Sequence, residues 1–279
     1  MPTPTRATPT RVIGLMPAAG QATRLGPLPM SKELFPIGFQ PDGTGLKVVC
    51  HALLEKMRLA GITEAMVILR PGKWDIPTFL GDGAALNMRL AYLTVHVPFG
   101  VPFSLNQAYP FVRDAVVALG FPDILFQPDD AYQKLLARLH QGEADVVLGL
   151  FPTDQPEKVG VVDFDVAGRV RAILEKSQRT DLRYMWASAV WQPSFTEFLH
   201  QFITAQQAQL IGTAIPQTLK QLPPYTEIPI GDVIQTAIQA GLRVDAEVFE
   251  EGHYLDIGTP DNLAKALIQT APPAPQTPA

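Results

Sequence analysis

The order of apolar segments predicts an α/β protein built on a mainly parallel sheet flanked by helices. Three observations carry this expectation. Short apolar strands alternate with helical patterns through the first half of the chain. Those strands read as continuous apolar runs, as in sheets covered on both faces. The length of 279 residues suits one large domain of this kind.

The elements follow in order. A strand is predicted at 12–16. Residues 48–60 place apolar side chains at helical spacing and stop at Gly61. Strands are expected at 65–69, 90–97 and 116–119. Residues 129–141 predict a helix with Tyr132, Leu135, Leu136 and Leu139 on one face, ended by Gly142. A strand at 146–151 completes the βαβ rhythm. From Gly160 the pattern changes, and 161–164 and 170–174 flank the turn Asp165-Val166-Ala167-Gly168 as a hairpin. A strand at 185–191, helices at 194–204 and 231–240, and short strands at 244–249 and 254–255 come next. Thr259 caps a last helix, with Pro260 at its first position and Leu263, Ala266 and Leu267 on one face. No internal repeat is present.

Composition excludes several classes of function. The 22 Lys and Arg against 27 Asp and Glu leave a net charge of −5, with no basic run of the kind that tracks nucleic acid. Cys50 is the one cysteine, which rules out an intrachain disulfide and a cysteine zinc cluster; its apolar neighbours predict a buried helix position. The first ten residues lack the apolar core of a signal peptide, and no apolar run approaches the ~18–20 residues of a membrane span. The expectation is a cytoplasmic protein with no membrane partner. The 27 prolines are about twice the average usage. Many lie in 1–10 and in the tail 269–279, where a disordered or polyproline-like chain is expected, leaving 11–268 as the domain.

Residues 15–38 carry the most chemistry. The apolar run enters a small-residue turn, Pro17-Ala18-Ala19-Gly20, followed by Gln21, Ala22, Thr23 and Arg24, with Lys32 eight positions beyond. Small residues let backbone N–H groups approach an anion. Arg24 adds a fixed fork of donors for phosphate oxygens, and Lys32 adds a mobile point charge. A polyphosphate cradle after a first strand follows from these residues alone. The glycine spacing fits neither a Walker A loop nor a dinucleotide-binding loop.

The same segment resembles the sugar-nucleotidyltransferase signature at Ala18-Ala19-Gly20, Thr23-Arg24-Leu25, Pro27-Leu28, Lys32, Leu34 and Pro36. Ala22 stands where that signature has glycine, and Ser31 where it has proline. Further segments extend the resemblance over about residues 11 to 268. Gly120-Phe121-Pro122-Asp123 follows a buried strand, where open α/β sheets place ligands, and looks like the family's Gly-Asp pair. Asp256, in Tyr254-Leu255-Asp256-Ile257-Gly258-Thr259, resembles the family's second metal ligand. Glu175-Lys176-Ser177 looks like its Glu-Lys-Pro element, and Gly160 matches a glycine whose backbone lies close to the sugar. Residues 71–83 look like the family's loop ending in Gly-Asp-Gly. The segment around Ser104 occupies the place that frames the base, with serine for glycine.

The resemblance implies a Rossmann-like fold of the nucleotide-diphospho-sugar transferase type: a nucleotide-binding half at about 11–150 and a small β-rich sugar-binding half at about 151–268. It implies an NTP and a sugar 1-phosphate as substrates, Mg²⁺ on Asp123 and Asp256, and homo-oligomers as the family often forms. Residues 17–24 and Ser104 would bind the nucleotide. Arg24, Lys32 and Lys176 would act on the phosphates, while Gly160, Glu175 and Lys176 would meet the sugar phosphate. Two alternatives stay open: a non-catalytic nucleotide or nucleotide-sugar binder that regulates a partner, and transfer to a non-sugar acceptor such as phosphocholine.

Overall fold

The computed structural model describes residues 11–40, 45–95, 99–175, 181–211 and 227–269. The expected terminal segments fall outside these residues, apart from Gln269, which ends the last helix.

Strand β1 (Val12–Pro17) lies inside the sheet. A hairpin of β2 (Pro36–Phe39) and β3 (Leu46–Val48) precedes helix α1 (Val49–Leu59), and β4 (Glu64–Leu69) follows. Helix α2 (Asp75–Leu80) leads to β5 (Arg89–Thr94). Helices α3 (Val101–Asn106) and α4 (Tyr109–Val112) lead to β6 (Val116–Gly120). β1 pairs in parallel with β4 on one side and β6 on the other, and β4 pairs in parallel with β5.

Strand β7 (Ile124–Gln127), helix α5 (Ala131–Gln141) and strand β8 (Val146–Pro152) continue the chain. Next come β9 (Gly160–Phe164) and β10 (Val170–Glu175), an antiparallel hairpin as expected, then β11 (Tyr184–Trp191). β11 is the hub of the sheet: it runs antiparallel to β8 along one side and to β6 and then β9 along the other. Helices α6 (Pro193–Ile211) and α7 (Ile230–Gln239), strands β12 (Val244–Val248) and β13 (His253–Asp256), and helix α8 (Pro260–Gln269) complete it. β12 adds to β8 in parallel. The result is a mixed nine-stranded sheet among the described residues.

The sheet is covered on both faces, which is why its strands are apolar throughout. Alternate residues of one strand feed different cores: Val117 and Leu119 of β6 pack with Trp191, Phe195 and Ile234, while Val116 and Ala118 pack with Leu53, Met57 and Leu135. Cys50 is buried in α1, as the pattern predicts. The predicted face of α5 is buried too, and Tyr132 donates its hydroxyl to the Leu119 carbonyl at 2.8 Å.

Three differences from the sequence reading stand out. The strand expected at 90–97 ends at Thr94, and 96–98 lie outside the described residues. The helix expected at 194–204 continues to Ile211, because no glycine or proline stops it. Helices α2, α3 and α4 and strands β2, β3 and β7 were not anticipated.

Candidate active site

The turn after β1 leaves the sheet at Pro17. The Ala18 N–H still donates to the Ile68 carbonyl at 2.8 Å, extending the β1–β4 ladder, and Ala18 and Ala19 are buried. The exposed part of the expected cradle therefore starts at Gly20 and Gln21. Ala22 adopts a left-handed conformation, φ 56° and ψ 31°, the geometry that glycine enters freely. A 3₁₀ turn at Thr23–Leu25 follows and carries Arg24 outward. A second 3₁₀ turn, Lys32–Leu34, carries Lys32.

Asp123 and Asp256 lie 133 positions apart in the chain. Strands β7 and β13 bring them together as an antiparallel pair in which Asp256 opposes Ile124. The Ile257 N–H then donates to the Asp123 carbonyl at 3.0 Å. A small separate core of Ile37, Val49, Ile257 and Ala266 fastens this pair and α8 onto the β2 hairpin and α1. Those are the elements that follow Lys32, so the packing sets the carboxylates beside the cationic loop.

Two ion pairs result. The Lys32 ammonium contacts the Asp123 carboxylate, and Arg24 Nη2 lies 3.6 Å from Asp256 Oδ2. They differ in burial: the Lys32 side chain is 11% exposed and that of Arg24 is 63% exposed. Burial works against the charge on Lys32, yet the adjacent Asp123, with Glu33 and Asp256 adding their charges, holds it above the ordinary lysine value. Gly258 lies directly under the second pair. A Cβ there would fall 2.6 Å from Arg24 Nη2 and 2.8 Å from Asp256 Oδ1. The Gly258 N–H also donates to Asp256 Oδ1 at 2.7 Å, and Asn262 Nδ2 donates to the Asp256 carbonyl at 2.8 Å.

At the far end of the sheet, Gly160 and Glu175 are direct partners across β9 and β10. A Cβ on Gly160 would stand 2.7 Å from Glu175 Oε1, and Gly231 in the first turn of α7 faces the same carboxylate. Glu175 is therefore seated between two positions without side chains. Lys176 lies outside the described residues. Ser104 is buried in α3, which packs against β1.

The donor set suits a hard divalent cation, since both candidate ligands are carboxylates with oxygen donors. Among the described residues no cluster of three or more His, Cys, Asp or Glu could hold a metal. A cation on Asp123 and Asp256 would thus take its remaining ligands from phosphate oxygens and water, the usual habit of Mg²⁺.

Residues 13–271 match the model of the nucleotidyl transferase family. The chain belongs to that family. Among nucleotidyl transferases it is 24% identical to the low-salt glycan biosynthesis nucleotidyltransferase Agl11 of Haloferax volcanii, over 91% of this chain and 64% of the archaeal protein. The chain thus spans a little under two thirds of that relative's length. It is 30% identical to a glucose-1-phosphate thymidylyltransferase of an Actinoplanes species, covering 91% of this chain and 76% of the relative. The crystal structure of a UDP-glucose pyrophosphorylase complexed with UDP-glucose shares the fold, with a TM-score of 0.70 at 17% identity over 92% of this chain and 97% of that one. A Bacillus anthracis structure described as a glucose-1-phosphate thymidylyltransferase in complex with a sucrose gives 0.73 at 20% identity, over 93% and 95%.

Sequence reading missed several residues around Lys32. Ser31 donates its N–H and its hydroxyl to the Asp75 carboxylate, and Glu33 accepts from the buried Lys73 ammonium at 2.6 Å. Each pair joins positions 40 or more apart, so no local pattern announces it. The one available signal was Ser31 itself, a residue with an N–H where the signature has proline. No helix among the described residues is long and apolar enough to cross a membrane.

Proposed function

We propose that the protein transfers a nucleotidyl group from an NTP to a sugar 1-phosphate, releasing pyrophosphate and forming an NDP-sugar. The observation that carries this reading is the convergence of Asp123 and Asp256, from two distant segments, on Arg24 and Lys32 of the segment after β1. In this reaction an oxygen of the acceptor phosphate attacks the α-phosphorus in line. One P–O bond forms, the bond to the α–β bridging oxygen breaks, and pyrophosphate leaves with that electron pair. No covalent enzyme intermediate is needed, so rate comes from positioning and charge neutralisation.

The pairing of charges supports these roles. Each cation is paired with a carboxylate. Arg24, exposed and 3.6 Å from its partner, is held by a pair worth at most about 1 kcal/mol. A triphosphate offers it a bidentate partner with more charge, so Arg24 would move to the β and γ oxygens and steady the leaving pyrophosphate. Lys32, part-buried and held in its charged form by Asp123, would neutralise the α-phosphoryl group. Asp123 and Asp256 would hold Mg²⁺. When bound, that ion would supply charge neutralisation for the reacting phosphates. Glu175 would accept from sugar hydroxyls, Gly160 would admit the sugar against the backbone, and Lys176 would hold the acceptor phosphate.

The test is pyrophosphate release by purified protein with Mg²⁺, each common NTP and dTTP, and a panel of sugar 1-phosphates plus phosphocholine. Acceptor-dependent release with a sugar 1-phosphate is the expected result. Lys32→Ala and Asp256→Ala should each lower turnover by about 10²–10³. Nucleotide binding with no release across the panel would overturn the reading in favour of a regulatory binder, and release with phosphocholine alone would move the acceptor out of the sugars.

A further inference from the structure

The Lys32 turn is fastened from one side. Ser31 N–H donates to Asp75 Oδ2 at 2.6 Å, and Ser31 Oγ donates to Asp75 Oδ1 at 2.8 Å. The Ile76 N–H gives the carboxylate a third donor, to Oδ1 at 3.1 Å. Burial opposes the charge on Asp75, but these donors hold its carboxyl below the usual range. Asp75 itself begins α2, whose Ile76 and Leu80 are sunk in the core, so the carboxylate stands on a fixed platform.

Two residues on, Glu33 meets Lys73 of the same segment, with both side chains buried. Thus positions 31 and 33 both face 73–75, while Lys32, between them, reaches Asp123 instead. The turn is closed by Leu34 N–H to the Ser31 carbonyl at 2.9 Å and Phe35 N–H to the Lys32 carbonyl at 3.1 Å. A lysine has a flexible four-carbon stem and no fixed donor geometry. Its aim must come from anchoring the backbone that bears it.

We propose that Asp75 is a positioning residue for Lys32: by gripping both polar groups of Ser31 it fixes the turn that directs the Lys32 ammonium into the candidate active site. Serine before the lysine is then a working part of the site, because proline could supply neither donor. The geometry stands without the reaction; its catalytic meaning rests on the nucleotidyl-transfer reading above.

Two readouts keep the failures apart. The first needs no activity: competitive acetylation of lysines in the full chain, followed residue by residue by mass spectrometry. In Asp75→Ala, Lys32 should label faster than in the unchanged protein, while Lys134, which is part-exposed on α5, keeps its rate. Unchanged Lys32 labelling in a folded Asp75→Ala overturns the proposal whether or not the protein is active. The second readout uses the substrate pair found for the unchanged protein. Asp75→Ala should lose kcat by up to about 10²-fold with KM for the NTP within about threefold. Faster labelling with kcat intact would overturn the catalytic part alone. If Asp75→Ala does not fold, Asp75→Asn and Ser31→Ala serve, each removing part of the grip. Ser31→Ala should cost little in the Asp75→Asn background, since both act through one contact, and full additivity would count against the proposal.

Discussion

Gly258→Ala should damage catalysis while leaving the fold almost untouched. The new methyl would stand 2.6 Å from Arg24 Nη2 and 2.8 Å from Asp256 Oδ1, where ordinary contact begins at 3.4 Å. Arg24 must therefore withdraw by about 0.8 Å and the carboxylate by about 0.6 Å, the shortfalls against ordinary packing. A misplacement near 1 Å costs up to about 10²-fold in rate. Arg24 escapes this crowding when it moves to the triphosphate, so the displaced Asp256 carboxylate carries the cost, and kcat/KM should fall roughly 10- to 100-fold, or about 1.4–2.7 kcal/mol of transition-state stabilisation. Stability should change by less than about 1 kcal/mol, because the crowded atoms end flexible, partly exposed side chains. The assay is steady-state pyrophosphate release paired with urea unfolding. Activity within about threefold of the unchanged protein would refute the reasoning. So would a loss of more than about 3 kcal/mol in stability, which would show that the glycine serves the fold rather than the ion pair.

Three further outcomes follow from the same neighbourhood. Lys73→Met leaves Glu33 buried and alone, so unfolding should ease by about 3–5 kcal/mol, lowering Tm by roughly 6–20 °C in calorimetry. Adding Glu33→Met should recover most of that loss, and a double variant no better than the single would contradict the account. Ala22→Gly removes a left-handed alanine and should raise stability by roughly 0.5–1 kcal/mol in urea, with a decrease counting against the strain assigned to this turn. Asp75 has a depressed folded-state pKa, so its stabilisation is fully present above the ordinary aspartate value of about 3.9 and fades as pH falls through the depressed one. The stability gap between the unchanged protein and Asp75→Asn should stay level from neutral pH to about 4 and close below it, whereas a gap that closes near pH 6 would exclude this linkage.

The legible elements were those whose burial repeats along the chain. β1, β4, β6 and β8 are apolar runs because both sheet faces are covered, and α1 and α5 carry long single-faced stripes. The elements that escaped are short. Helices α2, α3 and α4 run four to six residues, and each contains a proline, which reads as a breaker when no second turn confirms the helix. Strand β7 was hidden because, among the described residues, Ile124–Gln127 pairs only with β13, far along the chain. The candidate site divides in the same way. Arg24 and Lys32 sit in one contiguous motif and could be read from it. Asp123 and Asp256 could be picked out as carboxylates, but only the β7–β13 pairing joins them. The grip of Lys73 on Glu33 had no sequence signal and that of Asp75 on Ser31 had only the serine itself, because charged residues at that distance look the same whether they touch or face water.

The pairing of β7 with β13 also sets an order of assembly. The loop after β1, Lys32 and Asp123 all belong to the first half of the chain, whereas Asp256 sits in β13, just before α8. During synthesis the N-terminal strands can collapse while that strand is still inside the ribosome. At that stage Lys32 can find Asp123, but Arg24 has no carboxylate partner and the second candidate ligand is absent. Closing a contact across 133 residues, sealed by the small core around Ile257 and Ala266, makes the candidate site wait for residue 256. A chain cut before β13 would keep the loop after β1 and the Lys32–Asp123 pair but lack the second candidate ligand.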